Sequence, residues 1–333
     1  MIISQTPLRI SFTGGGTDIP GFYTAFEGAV ISTTINKYIY VAVKPRFDRR
    51  IRVVTTQIEE VTQVEEIKHD LVREALKKTA VHSGVEIVIL ADVPAEGSGL
   101  GSSGALTVGL LNALYTYQGK DVSAEELAEQ ACEIEIEQLK QPIGKQDQYA
   151  AALGGLRYYH FHKNGSVVSE YIQIAETQKQ DMQKNLLLFY SGITRSASAI
   201  LQRQGEQLEQ KKDYLLQIKE QCALLKREIE TGCHSTLGSI LHEGWQWKKQ
   251  LADGITNPQI DNWYETALQA GALGGKIAGA GGGGFLMLYA EQDIHSRLRD
   301  ELPLQEMDFG FDNRGTRIIL GNEGAGEQSR LYF

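Results

Sequence analysis

A strand signal that runs into a glycine-rich loop and then a helix signal constrains this chain more than any other stretch. Val85–Val93 (VEIVILADV) is an apolar run that reads as a buried strand, Pro94–Ala105 (PAEGSGLGSSGA) follows it, and Leu106–Tyr117 carries an amphipathic helical pattern. Glycines let the backbone approach a ligand closely, and the unpaired N–H groups and dipole of a helix start favour an anion. Gly97, Ser98, Gly99, Leu100, Gly101, Ser102, Ser103 and Gly104 therefore form a candidate phosphate cradle. Ser102 and Ser103 suit either capping the helix or turning toward a metal on the phosphates.

The glycine spacing invites a second reading that context removes. Gly99–Gly104 matches G-x-G-x-x-G, and Asp121 follows at a tempting distance. A dinucleotide site needs that acid at the tip of a second parallel strand, whereas Asp121 leads into DVSAEELAEQ, a helix start. Gly279–Gly284 matches the same pattern, but the strand-like FLMLYA follows where a helix belongs. The P-loop pattern G-x-x-x-x-G-K-[ST] is absent. Glycines cluster at three separated places: Thr13–Thr17, Gly97–Gly104 and Gly274–Gly284. Such clusters are either separate turns or several loops converging on one ligand.

At 333 residues the chain is long enough for two domains. A net charge of −9 argues against a general nucleic-acid or membrane-surface binder, no apolar run reaches membrane-spanning length, and the expected location is cytoplasmic. Cys132, Cys222 and Cys233 are too few and too scattered for a disulfide framework or a zinc site and read as buried, inert thiols. Strand signals dominate the first third, at Ile2–Phe12, Ala29–Lys44 and Ile51–Gln57. Helical patterns follow at Asp70–His82, Gly104–Tyr117 and Ser123–Lys140, and strands resume at Leu156–Phe161, Val167–Ile174 and Asn185–Tyr190. Residues 196–270 are nearly all helical, and the end reads strand, helix, strand. This segregation indicates an α+β fold, with a composition shift that divides the chain into 1–182 and 183–333.

Two carboxylates stand out. On a wheel of 100° steps over Ser123–Lys140, Leu127, Ala128, Ala131, Cys132, Ile134 and Leu139 share one face, and Glu126, Glu129, Glu133 and Glu137 lie opposite. Glu135 alone falls within the apolar face, where a carboxylate needs an Arg, a Lys or a divalent cation. Downstream, Pro142 and Gly144 end that helix and Gln146–Leu153 begins another. Asp147 at its start is either an acid stabilised by the helix dipole or a base placed to accept a hydroxyl proton.

Joined in order, Pro7–Asp18 (PLRISFTGGGTD), Pro94–Ala105, Gly144–Gln148 and Lys276–Gly284 resemble the three motifs of the GHMP kinases, and they span the length of the chain. The resemblance implies an N-terminal domain like ribosomal protein S5 domain 2, a ferredoxin-like C-terminal domain, and ATP with Mg²⁺ in the cleft between them. It implies that the loop 97–104 binds ATP, that Asp147 is the catalytic base, and that Arg9 acts near the transferred phosphoryl group. It also implies that Glu135 and Ser103 hold Mg²⁺, and that Asp18, with Gly16 and Thr17, binds the acceptor. Thr194, Arg195, Gly281 and Gly282 are further acceptor-side candidates. Within the family, TPLRISFTGGGTDIPGFY, GKQDQYAAALGG and YSGITRSA are similar to the group that phosphorylates the anomeric hydroxyl of D-glycero-D-manno-heptose 7-phosphate. L-fucokinase domains carry similar motifs, and a sensor that binds sugar and ATP without turnover is the alternative of another class. The expected partner is a small sugar or sugar phosphate, with no nucleic acid or membrane.

Overall fold

The computed structural model describes residues 1–94, 97–194, 197–232 and 236–321. Two long β-branched segments make its frame: β1 (Ile2–Thr13) and, after the short α1 (Pro20–Phe26), β2 (Gly28–Pro45). The chain continues through β3 (Ile51–Val54), β4 (Ile58–Val61), α2 (Asp70–Thr79), β5 (Val85–Ala91), α3 (Ser102–Tyr117), α4 (Ala124–Cys132) and α5 (Gln146–Leu153). Next come β6 (Arg157–Phe161), β7 (Val167–Tyr171), α6 (Glu176–Lys184), β8 (Leu186–Tyr190), α7 (Ala197–Glu206), α8 (Leu208–Glu230), α9 (Thr236–Lys248) and α10 (Pro258–Ala270). It ends with β9 (Gly274–Ile277), β10 (Phe285–Tyr289), α11 (His295–Glu301), β11 (Gln305–Glu306), β12 (Phe311–Asp312) and β13 (Arg317–Leu320).

Among the described residues these strands form two sheets, and the fold is α+β as expected. The first runs β13-β1-β2-β5-β3-β4, with β6 and β12 also on β2 and β7 on β6; its pairs are antiparallel except β3 with β5. β2 is long enough to hold β6 along Gly28–Ser32 and β5 along Ile39–Pro45. The second sheet, β11-β8-β10-β9, is antiparallel. It lies between two apolar cores. Leu186 and Leu188 face the core of the first sheet, while Leu187 and Phe189 face the core built with α7–α11. Burial on both faces explains why LLLF and FLMLY are continuous apolar runs without alternation.

Three expectations change here. The helix after the glycine loop is not a surface amphipath: α3 packs on β1, β2, α2 and α5 and is buried on nearly every side, which suits its high apolar content. The helix expected over Ser123–Lys140 stops being α-helical at Cys132 and continues as a π-helical segment over Glu133–Gln138. The division at residues 182 and 183 falls inside α6; the second sheet begins after it, yet β12 and β13 return to pair with β2 and β1. The thiols of Cys132 and Cys222 are buried and raised by desolvation, as expected, whereas Cys233 lies outside the described residues. No described helix is long and apolar enough to cross a membrane.

Candidate active site

The three glycine clusters converge. Gly15 and Gly16 after β1, the loop from Gly97 to Gly104, and Gly279 with Ala280 before β10 all line one cavity of about 550 Å³. The second and third loops press together: a Cβ on Gly99 would stand 2.4 Å from the Ala278 carbonyl oxygen, so only glycine allows that contact. Phe285 N–H donates to the Ser98 carbonyl at 3.3 Å, and Arg9 N–H to that of Leu100 at 3.0 Å. The loop is thus tied to both sheets. It ends at Gly101, which has a left-handed backbone (φ +79°) and caps α3. The first-turn N–H groups that follow have no partner within their own helix.

Arg9, 3% exposed on β1, organises the centre of the cavity. Its Nη1 donates to the Gly99 carbonyl at 2.7 Å, while Nε and Nη2 both reach Asp147 Oδ1, at 2.8 and 2.7 Å. Among the described residues Asp147 Oδ2 receives no protein donor, so one oxygen is fixed and the other stays available. Asp147 occupies the first turn of α5, where the helix dipole favours its charge. The position at the helix start agrees with the first reading of Asp147, and the oxygen left by Arg9 is compatible with the second.

Glu135 is fully buried in the π-helical segment. Ser103 Oγ donates to its Oε2, and Gln148 Nε2 donates to its Oε1 at 2.9 Å. Among the described residues no Arg or Lys pairs with it. Burial pushes its carboxyl up to about 7, despite hydrogen bonding from Ser103, Gln148 and Thr107 that favours the charged form. Of the partners open to it in the sequence, the structure supplies no cation side chain. A buried carboxylate beside a serine hydroxyl, with Gln148 Oε1 buried and unpartnered alongside, is a hard oxygen donor set that fits Mg²⁺. Ser103, rather than Ser102, is the serine that meets Glu135; the Ser102 hydroxyl instead pairs with that of Ser98 at 3.0 Å.

Asp18 lines the same cavity as Asp147 and is 2% exposed. Its Oδ1 accepts from Gly16 N–H at 3.0 Å and its Oδ2 from Gln146 N–H at 3.2 Å. Burial, and then the nearby Asp147 charge, raise its pKa. Gly144 makes this approach possible, because a Cβ there would stand 1.9 Å from Asp18 Oδ2.

The remaining sequence candidates divide. Thr194 is exposed and lines the cavity. Thr17, Gly281 and Gly282 are not brought to it. The Thr17 hydroxyl is fully buried between the carbonyls of Gly14 and Ala29, and Gly282 N–H donates to Ile255 O behind the wall. Leu100 contributes its backbone while its side chain belongs to the core. Arg195 lies outside the described residues. Sequence reasoning missed Lys248 at the end of α9, whose Nζ donates to the Gly279 carbonyl, and the amides of Gln146 and Gln204, which all line the cavity. Gln146 Oε1 and Gln204 Nε2 are buried without a hydrogen-bond partner, and Gln204 packs over Gly16. Lys276 sits behind the cavity and donates to the Ser11 and Phe12 carbonyls; burial, then Lys248 and Arg9, push its pKa well down.

A profile of the GHMP kinases N-terminal domain matches residues 67–155, and one of the GHMP kinases C-terminal domain matches residues 225–304; together they cover half of the chain. The chain belongs to the GHMP kinases. It is thus a phosphotransferase, and GHMP kinases use ATP as phosphate donor. It is 29% identical to D-glycero-alpha-D-manno-heptose 7-phosphate kinase of Campylobacter jejuni, over 95% of this chain and 98% of that one. It is 25% identical to the L-fucokinase/L-fucose-1-P guanylyltransferase of Bacteroides fragilis, over 87% of this chain but 35% of that longer protein. Among solved structures, a D-glycero-D-manno-heptose 1-phosphate kinase from Bacteroides thetaiotaomicron superposes with a TM-score of 0.80 at 24% identity, covering 97% of this GHMP kinase and 100% of that chain. A putative sugar kinase from Campylobacter jejuni superposes with a TM-score of 0.73 at 28% identity, covering 95% and 97%.

For this GHMP kinase, Gly144→Ala is expected to displace Asp18 and lower kcat/KM for the acceptor about 100-fold, since a shift near 1 Å at a positioning group carries that effect. The KM for ATP should hold, and steady-state kinetics with each substrate varied in turn measure both.

Proposed function

We propose that this GHMP kinase transfers the γ-phosphoryl group of ATP to the anomeric hydroxyl of a D-glycero-D-manno-heptose 7-phosphate, giving the 1,7-bisphosphate. The observation that carries the reading is the arrangement around Asp147. Asp147, with one carboxylate oxygen not taken by Arg9, lines the same cavity as the phosphate-type loop and as Asp18, Gln146 and Gln204. Unpartnered buried amides are costly, and a polyhydroxyl ligand would satisfy them. The choice of a heptose phosphate rests on the near full-length likeness to the Campylobacter enzyme.

In this reading the triphosphate lies along Gly97–Gly104, with the N–H groups at the start of α3 directed at its oxygens. Ser103 and Glu135 would hold Mg²⁺, which supplies charge neutralisation on the phosphates. Arg9 meets the charge developing on the transferred group, and Lys248 adds positive potential from the second sheet's side. Phosphoryl transfer asks little covalent work of the protein, so positioning and charge neutralisation dominate. Asp147 Oδ2 accepts the acceptor's proton as its oxygen attacks phosphorus. An anomeric hydroxyl is more acidic than an ordinary alcohol, so a carboxylate suffices as the base. Asp18 and the amides hold the remaining hydroxyls.

An acceptor panel tests the proposal. ADP release is expected with D-glycero-D-manno-heptose 7-phosphate, at a kcat/KM well above those for mannose, fucose and galactose. Turnover of fucose alone would shift the assignment to a free-hexose kinase, and ATP binding without turnover of any sugar would make the protein a sensor.

A further inference from the structure

A second cluster of ligating side chains stands apart from the kinase site, where the chain leaves α1 and enters β2. Glu27 lies at that junction, and His160 and His162 occupy alternate positions on and just beyond β6, which pairs with β2 there (Ala29 opposite His160). Glu27 Oε2 is 3.4 Å from His160 Nε2, and Glu27 Oε1 is 3.6 Å from His162 Nδ1. The imidazole centroids are 4.3 Å apart. One donor atom from each of the three residues lies within 4.8 Å of the other two.

These separations are long for N–H···O hydrogen bonds, which fall at about 2.7–3.2 Å. Bonds of about 2.0–2.1 Å to zinc place neighbouring donors about 3.3 Å apart, and the three donor atoms, each within 4.8 Å of the others, are close enough for their side chains to close on one ion. The backbone supports the arrangement. Glu27 has φ +57° and ψ 153°, a region essentially reserved for glycine, and its N–H is held by the Tyr23 carbonyl at 2.9 Å. Such a conformation is strained and persists only where the surroundings over-determine it. It brings the carboxylate to both imidazoles. Lys219 of α8 donates to the Phe26 carbonyl at 2.8 Å.

We propose that Glu27, His160 and His162 form a binding site for a zinc-class divalent cation, with a fourth position open to solvent. The donor set of two imidazoles and one carboxylate suits zinc and its transition-metal neighbours and not the oxygen-seeking Mg²⁺, so the site is chemically distinct from that of Glu135. All three residues are partly exposed, which gives the ion a path in. A bound ion would fix the end of α1, whose opposite end follows directly from Asp18.

The full chain, stripped with a chelator and returned to excess Mg²⁺, tests this by calorimetric titration with Zn²⁺. One equivalent is expected to bind, and Co²⁺ in its place should show the intense visible bands of four-coordinate cobalt. His160→Ala and His162→Ala should each weaken binding by at least about 100-fold, more than the loss of an outer hydrogen-bond partner to a ligand causes. Glu27→Gln, at a partly exposed position that does not carry the core, should weaken it as well, and circular dichroism verifies that all three variants fold. Absence of a stoichiometric Zn²⁺ site, or affinity unchanged in the histidine variants, overturns the proposal.

Discussion

Asp147→Asn is expected to lower kcat by about two to four orders of magnitude while the dissociation constant for ATP changes little. Asparagine keeps an oxygen for Arg9, whose Nε and Nη2 both bind Asp147 Oδ1, so the geometry of the pair survives. What disappears is a group able to take the acceptor's proton at the second oxygen. Asp147→Ala is a poorer probe. It would leave the 3%-exposed Arg9 without its counter-ion, and breaking a buried pair from one side destabilises by about 3–5 kcal/mol. Single-turnover measurements with saturating ATP and sugar phosphate isolate the chemical step. Near-normal turnover in the asparagine variant would remove Asp147 as the base and leave it only the task of holding Arg9.

Glu135→Gln should move activity and stability in opposite directions. The carboxyl has an ordinary value of 4.5 and is pushed up to about 7 by burial in the metal-free protein. For an acid raised on folding, the native state holds the extra proton. Its favourable contribution is complete below the unfolded value of 4.5 and is lost as pH rises through about 7. At pH 8 the free protein therefore bears the cost of a buried, unpaired carboxylate, on the order of 3 kcal/mol. Glutamine is neutral at every pH and nearly the same shape. In EDTA the wild type should lose thermal stability between pH 5.5 and 8.5 while the variant stays level and is the more stable at pH 8. Added Mg²⁺ should narrow that gap by stabilising only the wild type. With Mg·ATP the variant should turn over roughly 100-fold more slowly or worse, the scale of losing several kcal/mol of charge stabilisation. A variant that gains stability without losing turnover would show that Glu135 does not serve the metal.

The parts of the site that could be read in the sequence share a cause: each is local. The phosphate-type loop announces itself through glycine spacing beside a strand and a helix. Glu135 stands out because one apolar helical face contains a single charge, and it turns inward even though the backbone there is π-helical. Asp147 is fixed by a helix start only a few residues away. What stayed hidden depends on distant segments meeting. Lys248 and Gln204 are ordinary polar residues of helices until α9 and α7 fold over the cavity. Thr17 illustrates the reverse: it sits within the first motif, but its hydroxyl turns inward to hold the Gly14 and Ala29 carbonyls. The α3 helix misled for a related reason, since an amphipathic pattern did not reveal that other elements pack on its small residues Ala105, Gly109 and Ala113 as well. α6, with its polar sequence ETQKQDMQK, gave no periodic apolar signal to detect.

The return of β13 to β1 bears on how the protein is made. Ile3 lies opposite Leu320, and the Thr6 hydroxyl meets that of Thr316 at 2.8 Å. When β1 leaves the ribosome, β13, which begins 304 residues after β1 ends and will pair with its outer edge, has still to be synthesised. Through that interval β1 presents a long row of unpaired backbone groups to other chains. Pairings between such distant partners also form slowly. The first sheet, which supplies Arg9 to the catalytic centre, is thus among the last parts of the molecule to be closed.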